Sequence, residues 1–252
     1  MAEFKLATEV VDLPSKGYLY SKDSPLAEGK IEIKYMTAKE EDILTNSSYI
    51  QKGIVLDKLF QSLIVSKINY NDLLIGDKNA IMIAARILGY GKDYNFTYEG
   101  VEETVDLTDV NNTEIDEELF KSGKNEFDFT FPHSGNEITF KLLNHGDETK
   151  IQRELDGLKK INKNEDPTLT TRLKHTILSI NGDYEQKTVR EFVDNQLLAR
   201  DSKSFRDYVK AKGMDPDTIG TKELLTEMNQ HANELIEAGK NPGYDAYGKI
   251  AI

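Results

Sequence analysis

The sequence predicts an α+β fold, mostly helical, with an N-terminal strand-plus-helices unit, a central β-hairpin region and a C-terminal helical bundle. Three observations carry this expectation. Residues 127–142 alternate apolar and polar side chains on both sides of Ser134-Gly135-Asn136, the period of a half-buried hairpin. Residues 80–88 read Ala-Ile-Met-Ile-Ala-Ala-Arg-Ile-Leu, a run apolar enough to form a central helix. From Asp147 to about Gly239, apolar residues recur at three- and four-residue spacings between Asp, Asn, Gly and Pro breakers, as in successive amphipathic helices. The changes of pattern divide the chain into residues 1–93, 94–146, 147–240 and a tail, 241–252.

Within the first unit, Leu13-Pro14-Ser15-Lys16-Gly17 reads as a turn, because proline presets φ and glycine accepts positive φ. Ile31, Ile33 and Tyr35 alternate with Glu32 and Lys34 as a strand. Thr37 with Glu40 forms a capping box that opens a helix. A second helix is written by Val55, Leu59, Ser62 and Leu63, with Leu56, Phe60 and Ile64 widening its apolar face. A third starts with Asp77 as N-cap and stops at Gly89-Tyr90-Gly91. In the second unit, Val101 to Leu107 reads as a strand and Ile115 to Lys121 as a short helix, ahead of the hairpin of Phe127, Phe129, Phe131 and Ile138, Phe140, Leu142. The third unit begins with a helix carrying Ile151, Leu155 and Leu158. Asp166-Pro167 opens the next, with Leu169, Leu173, Ile177 and Ile180 inward. Asp183 and Gln186 cap a helix of Val189, Phe192, Val193 and Leu197. Ser202 caps one of Phe205, Tyr208 and Val209 that Gly213 ends, and Thr221 opens a last one.

Charge and composition exclude several functions. Of 252 residues, 44 are acidic and 32 basic, a formal charge of −12. Such a chain gains little by displacing counterions from nucleic acid or by approaching an anionic membrane. Cysteine is absent, which removes disulfides, thiol nucleophiles and Cys-ligated metals together and suits a reducing compartment. The opening Met-Ala-Glu-Phe-Lys lacks the pattern of a signal peptide, and no apolar run approaches the roughly 20 residues of a membrane span. The expectation is a soluble intracellular protein.

Motifs for chemistry are sparse. His133, His145, His175 and His231 are scattered, with no metal-ligand partner at helical spacing. Gly76-Asp77-Lys78 resembles a phosphate loop only superficially and reads as a helix cap. Asp106, Asp109 and Asn111 offer close oxygen ligands, but the glycine and closing glutamate of a calcium loop are missing, which favours a solvated acidic loop. The pairs Glu40/Glu41 and Glu102/Glu103 are neighbours in sequence and need not share a site. The sequons at Asn46 and Asn95 mean little in a protein that is not secreted. No catalytic residue, cofactor or metal site is nominated. Candidate contact residues remain. The 13–17 turn, through Leu13, Pro14, Lys16 and Gly17, is either structural or a rigid recognition loop. Arg200, Asp201 and Arg206 form either a helix start with surface pairs or a binding patch. Tyr244, Tyr247, Ile250 and Ile252 form either a docking tail or an untethered terminus.

The segments Leu-Pro-Ser-Lys-Gly (13–17), Ile-Lys-Tyr-Met-Thr-Ala-Lys-Glu-Glu-Asp-Ile-Leu-Thr (33–45), Leu-Asp-Lys-Leu-Phe-Gln-Ser (56–62), Asp-Leu-Leu-Ile-Gly-Asp-Lys-Asn-Ala-Ile (72–81) and Ile-Leu-Gly-Tyr-Gly (87–91) stand in order along the chain. Together they resemble the baseplate hub and hub-assembly proteins of T-even-like contractile-tailed bacteriophages, over about Leu13 to Tyr98. Residues 197–209, Leu-Leu-Ala-Arg-Asp-Ser-Lys-Ser-Phe-Arg-Asp-Tyr-Val, are similar to the C-terminal region of that family. Relatives carry paired cysteines after the strand matching Phe96 to Tyr98, suggestive of a zinc ribbon. Here Glu99 to Leu107 has none, so zinc is not carried over.

The resemblance implies a non-enzymatic tail-morphogenesis protein whose partners are other baseplate hub and tail proteins, with no nucleic acid, membrane or small-molecule substrate. It would act as a hub-assembly chaperone or as a hub subunit, in the host cytoplasm during assembly or in the tail baseplate of the virion. Two alternatives follow from the acids. A divalent-metal-dependent hydrolase using Asp106 and Asp109 predicts thermal stabilisation by a divalent ion. An acidic nucleic-acid mimic that inhibits a host protein predicts salt-dependent capture of a basic partner.

Overall fold

The structure, a computed structural model, describes residues 7–98, 101–110, 115–120, 123–161 and 166–214. Strand β1 (Thr8–Asp12) pairs antiparallel with β2 (Lys30–Lys34), Val10 facing Glu32 and Val11 facing Ile31. The 13–17 turn and a short 3-10 helix (Pro25–Glu28) connect them. Ile31 and Ile33 point into the core, as their alternation with Glu32 and Lys34 predicts. β1 alternates less clearly, and its pairing with β2 is what makes it a strand.

Four helices follow: α1 (Ala38–Leu44), α2 (Ser47–Gln51), α3 (Val55–Leu63) and α4 (Ile75–Tyr90). Thr37 and Glu40 meet as predicted, the Glu40 carboxylate accepting both the Thr37 N–H at 2.9 Å and its hydroxyl at 2.6 Å. α3 buries Leu59, Phe60 and Leu63, whereas Leu56 lies on its solvent side at 38% exposure. The apolar face is therefore narrower than the composition suggests. α4 starts at Ile75 with Leu74 as N-cap, three residues ahead of the predicted Asp77 cap. Asp77 does not cap it, because its carboxylate is drawn to the 13–17 turn. α4 is also less enclosed than its apolar run implies. Gly76, Asp77, Ile81 and Ala85 are buried, and the other faces are half-buried.

Strands β3 (Asp93–Tyr98) and β4 (Val101–Asp106) form a separate antiparallel hairpin, with Tyr94 opposite Val105 and Phe96 opposite Glu103. The short helix α5 (Glu117–Phe120) places the fully buried Phe120 against Phe127. β5 (Phe127–Thr130) and β6 (Glu137–Phe140) form the predicted hairpin. They gain a third strand from a distant segment. After α6 (His145–Ile161) and α7 (Thr168–Thr176), residues Ile177–Ile180 leave the helix and pair with β6 as β7. The sequence reading placed Ile177 and Ile180 on the α7 face. Instead Ile177, Ser179 and Ile180 are buried, and the Asn181-Gly182 pair, at φ 50° and 80°, turns the chain out of the sheet. The open edge of β6 decides this: a β-branched segment that satisfies the edge's backbone groups gains more than one further helical turn.

α8 (Gln186–Asn195) buries Val189, Phe192 and Val193, and α9 (Ala199–Ala211) buries Asp201, Ser202 and Phe205. α9 begins three residues before the predicted Ser202 cap, with Leu198 as N-cap. Gly213, at φ 66°, follows it. Pro167 occupies the N-cap position of α7 and not its first turn. Among its described residues, the C-terminal unit has four helices with a strand between the second and third, in place of helices alone. The helix predicted from Thr221 and the tail with Tyr244, Tyr247, Ile250 and Ile252 lie outside the described residues. Among those described, nine α-helices and three small antiparallel sheets give the predicted α+β, mostly helical class. No described helix is long and apolar enough to cross a membrane.

One core joins the ends of the described chain, running from Leu13 and Ile33 through Phe60, Ile81 and Phe140 to Phe205 and Met214. Its C-terminal half is a ring cluster. Phe205 lies 4.9 Å from Phe140, 5.5 Å from Phe129 and 6.3 Å from Phe131 between ring centroids. Such aromatic pairs add to the burial of the rings themselves.

Candidate functional site

The 13–17 turn is built by left-handed backbone at Lys16 (φ 50°) and Gly17 (φ 78°) and closed by the Lys16 N–H on the Leu13 carbonyl at 2.8 Å. A side chain at Gly17 would put its Cβ 2.4 Å from the Ala27 carbonyl oxygen, and one at Gly29 would meet the Lys16 backbone at 2.7 Å. Only glycine fits either place. The turn then aims Ser15 inward. Its N–H donates to Asp77 Oδ1 at 2.9 Å and its hydroxyl to Asp77 Oδ2 at 2.7 Å. The Tyr20 hydroxyl donates to Asp77 Oδ2 at 2.6 Å while accepting the Leu74 N–H at 2.9 Å. Asp77 is 1% exposed. Burial pushes its carboxyl above the usual carboxylate range, against the pull of the hydrogen bonds from Tyr20 and Ser15. The Tyr20 phenol is raised, first by burial and then by Asp77. A cavity of about 20 Å3 lies alongside, lined by Ser15, Gly76, Asp77, Phe120, Leu142 and Met214, which is room for about one water molecule.

A second polar group sits where α3, α4 and α6 meet. Asp57 Oδ1 accepts the Tyr70 hydroxyl at 2.9 Å and the Lys78 ammonium at 2.5 Å. The His145 ring packs edge-on against Tyr70 at 4.5 Å, with Nδ1 3.7 Å from Asp57 Oδ1. Burial lowers the pKa of His145, Asp57 and Glu148 raise it, and Lys78 lowers it further. This group joins the N-terminal unit to α6, as does the His145 N–H on the Leu73 carbonyl at 2.9 Å. On α6, α7 and α8, Glu154 accepts both Arg190 amino groups at 2.7 Å and contacts His175 at 2.9 Å. Arg190 holds the Glu154 carboxyl down to about 2, burial opposes it and His175 assists. Bidentate geometry of this kind fixes helix orientation.

The candidate contact residues divide sharply. Leu13, Pro14 and Gly17 are buried in the turn, and Lys16 is exposed and ion-paired with Glu117. Arg200 and Arg206 are exposed on α9. Asp201, beside Arg200 in sequence, is fully buried and receives the His133 and Ser134 N–H groups at 3.0 and 3.1 Å. Burial raises its carboxyl, but hydrogen bonding from the Ser134 side chain, with that from the His133 and Ser134 N–H groups, prevails and leaves it lowered. Its carboxylate therefore caps the β5–β6 turn from inside the protein.

The carboxylate pairs separate in space as well. Glu40 is buried with Lys34, Thr37 and Ser62, while Glu41 accepts the Tyr90 hydroxyl at 2.5 Å. Asp106 accepts the Lys92 ammonium at 2.5 Å and caps the turn at Thr108. Asn111 lies outside the described residues. Among the described residues, no group of three or more His, Asp and Glu side chains is arranged to hold a metal ion.

Sequence reasoning missed Tyr20, Asp57 and Tyr70. Their partners are 57, 21 and 13 residues away, beyond the range at which spacing reports contact. No family model matches the chain, and no curated protein or solved structure matches it either.

Proposed function

We propose that this chain is a non-enzymatic tail-morphogenesis protein of a contractile-tailed bacteriophage. It acts in assembly of the baseplate hub through protein–protein contacts, as a hub-assembly chaperone or as a hub subunit. The resemblance of residues 13–98 to that family supports the reading, and one structural observation carries it. The 13–17 and 72–81 segments meet at Asp77, where the Ser15 and Tyr20 hydroxyls are both bonded to its carboxylate. The polar groups that would be the first suspects for chemistry are spent on one another in the interior. In this reading the two segments fix a scaffold, which supports work by surfaces. The formal charge of −12 keeps such a subunit dispersed until it meets its partners. In this reading the chain needs no cofactor, and its place is the host cytoplasm during assembly or, for a hub subunit, the tail baseplate of the virion.

The test is co-expression with the hub proteins of the same phage, followed by pull-down through a tag on this chain. A hub protein should co-purify at a fixed ratio. Failure of every hub protein to do so, or turnover of a small molecule abolished by one polar substitution, overturns the reading. Mass spectrometry of purified particles separates the two roles, since a subunit remains in the virion and a chaperone is lost.

A further inference from the structure

We infer that the solvent face of α9 is a docking surface for a short acidic segment of a partner protein. Arg200, Lys203, Arg206 and Lys210 are exposed and follow one another at steps of three or four residues. They therefore stand on one side of the helix, over about 15 Å of its length. Asp207 is the one exposed acid of α9, since Asp201 turns inward to the β5–β6 turn. Lys203 pairs with Asp207 at 2.9 Å, and among the described residues Arg200, Arg206 and Lys210 make no salt bridge.

The helix carries this face at a cost. Like charges three or four residues apart repel, as Lys203 with Arg206 and Arg206 with Lys210 do. Arg200 stands in the first turn, at the positive end of the helix dipole, whereas Lys210 in the last turn is favoured there. The hydrogen bond from Lys203 holds the Asp207 carboxyl below the usual carboxylate range against burial, and the charges of Lys203, Arg206 and Lys210 assist. One carboxylate does not neutralise four cations. A row of acids laid along the face relieves the repulsion and adds ion pairs with the bases that lack one.

Charge also selects the size of the occupant. The whole chain is at −12, so a nucleic acid that follows the stripe runs on past it over an acidic surface. A second copy of this chain opposes that excess of acids with its own. Screening at physiological ionic strength acts over about 8 Å, less than the length of the stripe. A short segment therefore lies under the field of the four bases and feels little of the acids beyond them. This inference deepens the assembly reading and rests on it for the partner being a protein.

The experiment pans a random peptide library on the full-length chain and titrates the enriched peptides by fluorescence anisotropy. Arg200→Glu with Arg206→Glu reverses charge on the face. Lys39→Glu with Lys187→Glu makes the same change in net charge at exposed positions in the first turns of α1 and α8. Glutamate at 200 suits the helix dipole, and at 206 it pairs with Lys203 and Lys210, so the reversed chain should melt no lower than the parent. If it does melt lower, Arg200→Gln with Arg206→Gln takes its place in the comparison. The expected result is enrichment of peptides rich in Asp and Glu, with affinity that falls as salt rises. The α9 variant should weaken it at least about tenfold, and the control should leave it unchanged. The inference is overturned if no peptide is enriched, if the enriched peptides are not acidic, if the α9 variant binds them as the parent does, or if the control loses as much. Preference for single-stranded DNA over the peptides, or a dimer of the parent that the α9 variant abolishes, overturns the choice of occupant. The hub pull-down separates this from the broader reading. Equal recovery of a hub protein by the parent and the α9 variant sinks the docking face and leaves the assembly role standing. If the parent recovers none, the assembly role fails and the peptides judge the face alone.

Discussion

Ser15 gives both its backbone N–H and its hydroxyl to the carboxylate of Asp77, at 2.9 and 2.7 Å, across 62 residues of chain. With Tyr20 as third donor, the contact pins the 13–17 turn to the first turn of α4. Asp77→Ala leaves three buried donors without an acceptor, and each such loss costs about 1–3 kcal/mol. Urea denaturation should show a loss of about 3 kcal/mol or more. Tyr20→Phe removes one donor and also strands the Leu74 N–H, for about 1–3 kcal/mol. A loss below about 1 kcal/mol for Asp77→Ala would mean the node is not a pin.

Gly17 and Gly135 have similar backbones, φ 78° and 74°, but different surroundings. A Cβ at Gly17 meets a carbonyl oxygen at 2.4 Å, and one at Gly135 meets nothing within 4 Å. Gly135→Ala should cost about 1 kcal/mol, the left-handed penalty alone. Gly17→Ala adds a clash with backbone and should cost several times more. Equal melting temperatures for the two variants would refute the close approach.

Burial works to raise the Glu40 carboxyl, and hydrogen bonds from Lys34, Thr37 and Ser62 overcome it, holding it down to about 2 from an ordinary 4.5. The unfolded chain therefore binds the proton more readily in that interval, and stability rises with pH there. The Glu40 contribution is fully present above about pH 5 and fades as pH falls toward 2. Glu40→Gln should lower stability at pH 7 and flatten its pH dependence between about 2 and 5, measured as urea midpoints. A variant with the parent's slope in that window would contradict the assignment.

Asp201 and its neighbours make opposite predictions. Asp201→Ala removes the acceptor of two backbone N–H groups and should destabilise the β5–β6 turn by about 1–3 kcal/mol. Arg200→Ala and Arg206→Ala touch exposed side chains and should stay within about 0.5 kcal/mol of the parent. If either arginine contributes to hub contact, its loss appears in the pull-down and not in the melt.

Elements whose signal is local were legible in the sequence. The β5–β6 hairpin has strict alternation around a Gly-containing turn, α1 has a cap and its reciprocal glutamate, and α8 has apolar residues at helical spacing. Each element's own residues select its conformation. The site was legible only in part. The 13–17 turn stood out through Pro14 and Gly17, and Lys16 is on the surface, but the inward role of Ser15 did not show.

What the sequence by itself determined is the α+β class, most of the helices and the acidic surface without cysteine, because composition and short-range periodicity suffice for these. Tertiary structure alone decided that Ile177–Ile180 is a strand, that Asp77 holds the 13–17 turn and that Asp201 caps a turn from within. In each case a buried donor, a buried acceptor or an open strand edge had to find its partner far along the chain. Residues that distant leave no mark in local spacing, so only the packed chain reveals them.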